Sequence, residues 1–355
     1  MSRNSFLPGR LLFIIAACVL PLASVVGCSA VAQFVGLRVR LEKLQVTAVS
    51  AGLVNKRDHT LVSALGPGQS MSLVISATTQ DGKQYPTVGV GKGKVAFDNY
   101  TIQATIVQVN KRGTVSLSSD PRVSEGQVAH LHIVPTAHPE LAADLDIPVR
   151  YDIPFAANYS GADGHDGLSG NDGFDGNSGT DGSPGTVDPS TGAQGTPGPG
   201  GNGSDGQKGG DGQDGDNGSA GGNVNAWIRL EPGAKPLLQI KVVSGTHQSL
   251  YLVDPNGGSL KILANGGAGG RGGSGGRGGR GGRGGSGFPP GLDGQGGLPG
   301  QDGHAGSDGA AGTIAISVDP AAEPFMKCIS WSNHGGNGRP GPAPEISVEP
   351  VAVLW

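Results

Sequence analysis

The sequence predicts an all-β protein that carries glycine-rich, polyproline-II-type rods. An N-terminal β-sandwich is followed by a four-rod intramolecular bundle on a small β-sheet base. Three observations predict this. Short β-rich runs separated by turn residues fill 41–155. Glycine recurs at every third position in four blocks of near-equal length. Strand-like runs return between the second and third blocks and after the fourth.

The runs in the first region are LQVTAV (44–49), MSLVISATT (71–79), YTIQATIVQV (100–109), GTVSLSS (113–119), VAHLHIV (128–134) and LDIPVRY (145–151). Several alternate apolar and polar residues, the period of a half-buried strand. Asp81-Gly82, Asn110 to Gly113, Asp120-Pro121 and Glu125-Gly126 supply turns between them. Strands at this spacing predict a β-sandwich over 41–155, of an immunoglobulin-like kind. Ala137 to Asp144 offers at most one helical turn.

The glycine blocks are 161–185, 200–221, 266–287 and 291–312. The third block has a second glycine column, at 267 and every third residue to 285. A period of three matches polyproline II, which rises about 3.1 Å per residue, so each block would be a rod of roughly 70 Å. Such a backbone makes no hydrogen bonds with itself and needs partners to be ordered. Collagen supplies partners by winding three chains, and it leans on proline at about 15–20% or more. These blocks hold only Pro184 and Pro299. The alternative is side-by-side packing of rods within one chain, as in polyglycine II, where bare glycine faces let backbones approach. The block with two glycine columns, 266–287, is then expected to be the inner rod with its third column facing out.

That third column holds Arg271, Arg277, Arg280 and Arg283, whereas the other blocks are rich in aspartate. Arg beside Asp on neighbouring rods is expected to help fix register, each exposed pair contributing about 0–1 kcal/mol. Residues 186–199 join the first two rods, and Phe288-Pro289-Pro290 joins the last two, so the rods can run up, down, up, down. The runs AWIRL (226–230), LLQIKVV (237–243), SLYLV (249–253), SLKIL (259–263) and TIAISVD (313–319) are expected to form one base sheet from 222–265 with 313–355. Phe325, Ile329, Trp331, Val351 and Trp355 are expected to pack the tail on it. The two links would form an exposed tip, with Phe288, Pro289 and Pro290 as candidate contacts.

The N-terminus carries a positive start, Arg3 and Arg10, and an apolar run from Leu11 to Val26. This run is short of the roughly 20 residues a membrane span requires, and reads as a signal peptide, 1–27. No significant helix is expected outside it. Val25-Val26-Gly27-Cys28 resembles the lipobox of bacterial lipoproteins. That resemblance implies that Cys28 is the lipid attachment site, followed by a tether at 28–40. It also implies a cell-envelope location, on the outer membrane or cell surface. Ile15-Ala16-Ala17-Cys18 fits the same pattern but leaves too short an apolar region. Once the leader is removed, Cys28 and Cys328 remain, too few for a thiolate zinc site, and Cys328 is expected to be a buried small hydrophobe.

Composition excludes several functions. Of 355 residues, 67 are Gly and 25 are Pro, while aromatics are only 5%, so a single large core is not expected. The net charge of −4 implies no nucleic-acid partner. RGGSGGRGGRGG (271–282) resembles RNA-binding RGG boxes, but an exported protein meets little RNA. GVGKGKV (89–95) lacks the spacing of a phosphate loop. GGDGQDGDNG (209–218) offers carboxylates to Ca²⁺ without the EF-hand spacing, so no cofactor is expected. His130 and His132 share one strand face as a metal pair with no third ligand evident in the sequence, and no metal site is expected there. No catalytic constellation stands out.

Taken with the lipobox, the blocks resemble those of bacterial collagen-like, glycine-rich surface lipoproteins. That resemblance implies a non-enzymatic structural or adhesive role, membrane attachment through lipid, and an extracellular protein or glycan ligand, with a monomer favoured. One alternative is a homotrimeric collagen-like stalk with β binding heads. The other is a carbohydrate-binding or enzymatic β-sandwich on a glycine-rich scaffold.

Overall fold

A computed structural model describes residues 38–233 and 235–355. The expected signal peptide, Cys28 and most of the expected 28–40 tether lie outside these residues. The protein is all-β: among the described residues, strands and short 3₁₀ turns make up the regular structure. No helix there is long and apolar enough to cross a membrane. The chain divides into two units, one running to Ile153 with 250–257 and Trp355, the other comprising 154–249 and 258–354.

The first unit contains β1 (Val46–Val54), β2 (Leu61–Val62), β3 (Ser70–Thr79), β4 (Gln84–Pro86), β5 (Tyr100–Ala104), β6 (Val107–Val109), β7 (Thr114–Leu117), β8 (Val128–Pro135) and β9 (Ala143–Pro148). One antiparallel sheet runs β2–β1–β3–β7–β6, with β4 on β3; the other runs β5–β8–β9. Alternation puts Leu53, Leu73, Ile75, Val115, Leu131, Ile133 and Ile147 from both sheets into one buried cluster. Each such side chain contributes about 1.5–3 kcal/mol when fully buried. The continuous run 100–109 is two strands in different sheets. The chain changes sheet at Ile106, whose φ of 51° is in the left-handed region that a β-branched residue rarely enters. Two short strands, β2 and β4, carry too few residues for the alternation to be read.

The second unit contains β10 (Pro154–Asn158), β11 (Val224–Glu231), β12 (Leu237–Ser244), the start of β13 (His247–Val253, whose residues from Leu250 group with the first unit), β14 (Ser259–Leu263), β15 (Ile314–Val318), β16 (Ile329–Ser332) and β17 (Glu345–Val348). The expected single base sheet is in fact two. Three parallel strands run β10–β14–β16, and a mixed sheet runs β13–β12–β11–β15–β17. Parallel pairing is the reason. The chain that enters segment 161–185 from β10 lies beside the chain that enters 266–287 from β14. The chains leaving 200–221 and 291–312 lie side by side as β11 and β15. Residues 154 and 155, expected to close the 41–155 sandwich, lie instead in β10 of this unit. Ile329 is buried in β16, but Trp331 is partly exposed. Trp355 groups with the first unit, where its indole N–H donates to Glu125 at 2.7 Å, so the tail does not all pack on the second unit's sheets.

The four glycine segments hydrogen-bond to one another through their backbones. Every third N–H from Gly161 to Gly182 donates to a carbonyl between Asn265 and Ser286 at 2.7–2.8 Å, in parallel order. Segment 200–221 donates antiparallel to the first segment, as in Gly210 N–H to Asn171 O at 2.7 Å. It also donates in parallel to the fourth, as in Gly212 N–H to Gln301 O at 2.8 Å. Segment 266–287 donates antiparallel to the second, and 291–312 antiparallel to the third, as in Gly276 N–H to Gly210 O and Gly300 N–H to Gly276 O, both 2.8 Å. Segments two and three thus each adjoin all the others, although only the third has two full glycine columns. The single column of the second segment faces the third: a Cβ at Gly203 would overlap the Gly282 carbonyl. Its bonds to the first segment come instead from residues such as Ser204, Gln207 and Gln213, whose side chains are exposed.

Candidate functional site

Aspartate side chains add a second set of bonds between the segments. In the first segment, Asp163, Asp166, Asp172, Asp175 and Asp181 accept from the backbone N–H groups of Ala268, Arg271, Arg277, Arg280 and Ser286 at 2.7–2.8 Å. Asn202, Asp205, Asp211, Asp214 and Asn217 accept in the same way from Leu292, Gln295, Gln301, His304 and Ser307. Asp293, Asp302 and Asp308 accept from Gly284, Gly275 and Gly269. Each of these Asp and Asn residues occupies the position just before a glycine. The short side chain there reaches one strand-width sideways, to an N–H that the carbonyl ladder leaves over.

The expected Arg–Asp side-chain pairing is absent. Arg271, Arg277, Arg280 and Arg283 form no salt bridge among the described residues, and the neighbouring carboxylates of the first segment accept from main-chain donors. The arginine column is exposed, and the glycine column at 267, 270 and onward is buried. The bonds hold several carboxyls below their ordinary range. The Ser286 hydroxyl and N–H lower Asp181, the Gln301 N–H and then Lys208 lower Asp211, and the His304 N–H lowers Asp214. Two carboxylates of the acidic run at 209–218 are therefore bound to the fourth segment.

The links meet at the end of this unit remote from its sheets. Phe288 N–H donates to Gly198 O, and Gly200 N–H donates to Pro289 O, both at 3.0 Å. The Phe288 side chain is 69% exposed, and Pro289 and Pro290 are also exposed. Along 186–194, Asp188 accepts from the Ser190 hydroxyl and N–H, which pulls its carboxyl down to about 2. Leu168, Phe174, Leu292 and Leu298 are also exposed along the segments. Cys328 is buried, its thiol donates to Phe325 O at 3.1 Å, and burial raises its pKa.

In the first unit, the β8–β9 register sets His132 opposite Asp144 and His130 opposite Asp146. His132 Nδ1 lies 2.7 Å from Asp144 Oδ1, and His130 Nε2 lies 3.3 Å from that same oxygen. His130 Nδ1 lies 2.7 Å from Asp146 Oδ1. Asp146, and to a lesser degree Asp144, raises the His130 pKa, and His132 lowers that of Asp144. The third group that the sequence did not reveal is Asp144, twelve residues from His132 and across a turn. On another part of this unit, a cleft lined by Arg38, Phe97, Tyr100, Lys111 and Arg112 contains a buried Tyr100 hydroxyl without a hydrogen-bond partner among the described residues.

No protein-family model matches the chain, and no curated protein matches it. Among solved structures it is similar to one described as "Crystal structure of the S-layer protein rSbsC(31-844)", at 14% identity and a TM-score of 0.18. The match covers 64% of this chain and 29% of that one, so the chain spans less than a third of that protein's length. A likeness at this score carries no argument about fold or role.

Proposed function

We propose that the protein is a non-enzymatic cell-surface structural or adhesive lipoprotein, anchored through Cys28, that displays a rigid bundle of four polyglycine-II-type rods. The observation that supports this reading is the lateral hydrogen-bond ladder between segments of one chain. Backbone donors at every third glycine are satisfied by carbonyls of other segments, so the polar groups of an extended, glycine-rich thread need neither water nor a second chain. Aspartate then uses donors that the ladder leaves over. Such a bundle resists bending because every rod is bonded to at least two others. A stiff body standing between an anchored base and an exposed apex suits a displayed contact, and Phe288, Pro289 and Pro290 are the residues we assign to it.

Because the ladder closes within one chain, the protein is read as a monomer. Light scattering of the full chain tests this: a monomer mass and a concentration-independent melting midpoint are expected, whereas a trimer whose midpoint falls on dilution would replace the bundle with a collagen-like stalk. Surface labelling of intact cells, comparing the natural chain with a Cys28→Ala variant, tests the anchor. Loss of the cell-bound signal in the variant is expected, and unchanged retention would rule out lipid attachment at Cys28.

A further inference from the structure

We propose that His130, His132 and Asp144 form a binding site for a divalent transition-metal ion of the zinc type, with Asp146 fixing the His130 ring from behind. The site is independent of the glycine segments and of the surface role argued above.

Strand alternation builds it. Ala129, Leu131 and Ile133 of β8 point into the core, so His130 and His132 share the open face. Antiparallel pairing brings Asp144 and Asp146 of β9 to the same face. One donor atom from each of His130, His132 and Asp144 lies within 4.8 Å of the others. A zinc ion binds imidazole nitrogen and carboxylate oxygen at about 2.0–2.2 Å, so donors on one ion sit roughly 3–3.5 Å apart. The 3.3 Å separation of His130 from Asp144 Oδ1 falls within that spacing and the 2.7 Å separation of His132 is shorter, so small side-chain rotations would admit the ion. The backbone, held by the strand ladder, need not move.

The donor set selects the ion. Two imidazoles and one carboxylate suit Zn²⁺, Ni²⁺ or Cu²⁺, whereas Ca²⁺ and Mg²⁺ prefer oxygen alone. Asp146 supplies the outer support that metal-bound histidines commonly have. Its carboxylate at His130 Nδ1 holds the proton on that nitrogen and leaves Nε2 free to coordinate. The aspartates of the glycine segments lack this arrangement, since they accept from backbone N–H groups and no pair of histidines stands beside them. Three protein ligands leave one position of a tetrahedral ion open, facing solvent from the sheet.

Calorimetric titration of the full chain with zinc chloride, alongside calcium chloride, tests the site. One saturable zinc site per chain is expected, with no calcium binding there. Replacing both imidazoles, His130→Gln with His132→Gln, should abolish it, and Asp146→Asn should weaken it about tenfold to hundredfold. The variant His138→Gln, whose ring lies outside the cluster, should bind zinc as the natural chain does. In the natural chain, the imidazole NMR signals of His130 and His132 should be the ones that shift on zinc addition, a readout that does not depend on any variant folding. No saturable zinc binding, undiminished binding in the double variant, or zinc shifts confined to other histidines would each overturn the proposal.

Discussion

Asp175 accepts the backbone N–H of Arg280 at 2.7 Å, while the Arg280 side chain enters no ion pair among the described residues. The carboxylate serves as an acceptor for main chain rather than as a counter-charge. Removal of the acceptor is therefore expected to matter more than removal of the charge. Asp175→Ala should lower the thermal midpoint of the full chain, Asp175→Asn should largely restore it, and Arg280→Gln should leave it unchanged. Circular-dichroism melts of the three variants check the order. An Arg280→Gln effect as large as that of Asp175→Ala would return the interaction to side-chain charge pairing.

Gly276 lies in the buried column, where an added Cβ would overlap the carbonyl of Asn171. Gly276→Ala should cost about 1–3 kcal/mol, the usual range for forcing extra atoms into a packed interior. Arg277, next in sequence, is exposed, and Arg277→Ala should be without effect. Denaturant unfolding of both variants measures the contrast. A harmless Gly276→Ala would mean that the segments do not approach as closely as the hydrogen bonds require.

Acid should loosen the glycine segments. Asp181, Asp211 and Asp214 titrate below their ordinary value of 3.8 because N–H and O–H donors stabilise the charged form, and Asp188 in the link falls to about 2. A lowered folded pKa stabilises the fold above the unfolded value and loses that contribution as pH falls through the folded one. Hydrogen exchange in 161–221 and 266–312 is therefore expected to speed up as pH falls from 3.8 towards about 2, after correction for intrinsic rates. The effect should shrink in an Asp181→Asn, Asp188→Asn variant.

Tyr100 is buried, its hydroxyl has no partner among the described residues, and burial raises its pKa. An unmet buried donor costs free energy that phenylalanine does not. Tyr100→Phe is expected to stabilise the first unit by about 1 kcal/mol, as read by chemical denaturation. Destabilisation instead would indicate that the hydroxyl is engaged in solution.

Most strands of the first unit were legible because alternation over five or more residues, as at Val128–Pro135, fits a half-buried strand and little else. The sheet change at Ile106 was not, since it depends on one backbone angle within a continuous β-rich run. The three-residue period marked the stretches that carry the lateral bonds, and the exposure of the arginine column followed from the doubled glycines. The role of the aspartates is not the one that charge alone suggests, although the signal is present: in the first segment the residue before each glycine from 164 to 182 is Asp or Ser without exception. Opposite charges on neighbouring segments point to side-chain pairing, whereas the donors are main chain. Asp144 could not have been found beside His132, because the turn between β8 and β9 sets the register and its geometry leaves no clear mark in the sequence.

Partner residues are 105 apart both in the β10–β14 pairing, Pro154 with Ser259, and in the contact of Asp166 with Arg271. They are 90 apart both in β11–β15, Val224 with Ile314, and in the contact of Asp205 with Gln295. The same offsets run from the strand pairings into the glycine segments. The length of the bonded glycine segments is consequently quantised. A triplet added to one thread would project beyond its neighbours with its amides unmet. Lineages could lengthen or shorten the glycine segments only by changing all four together, one triplet at a time.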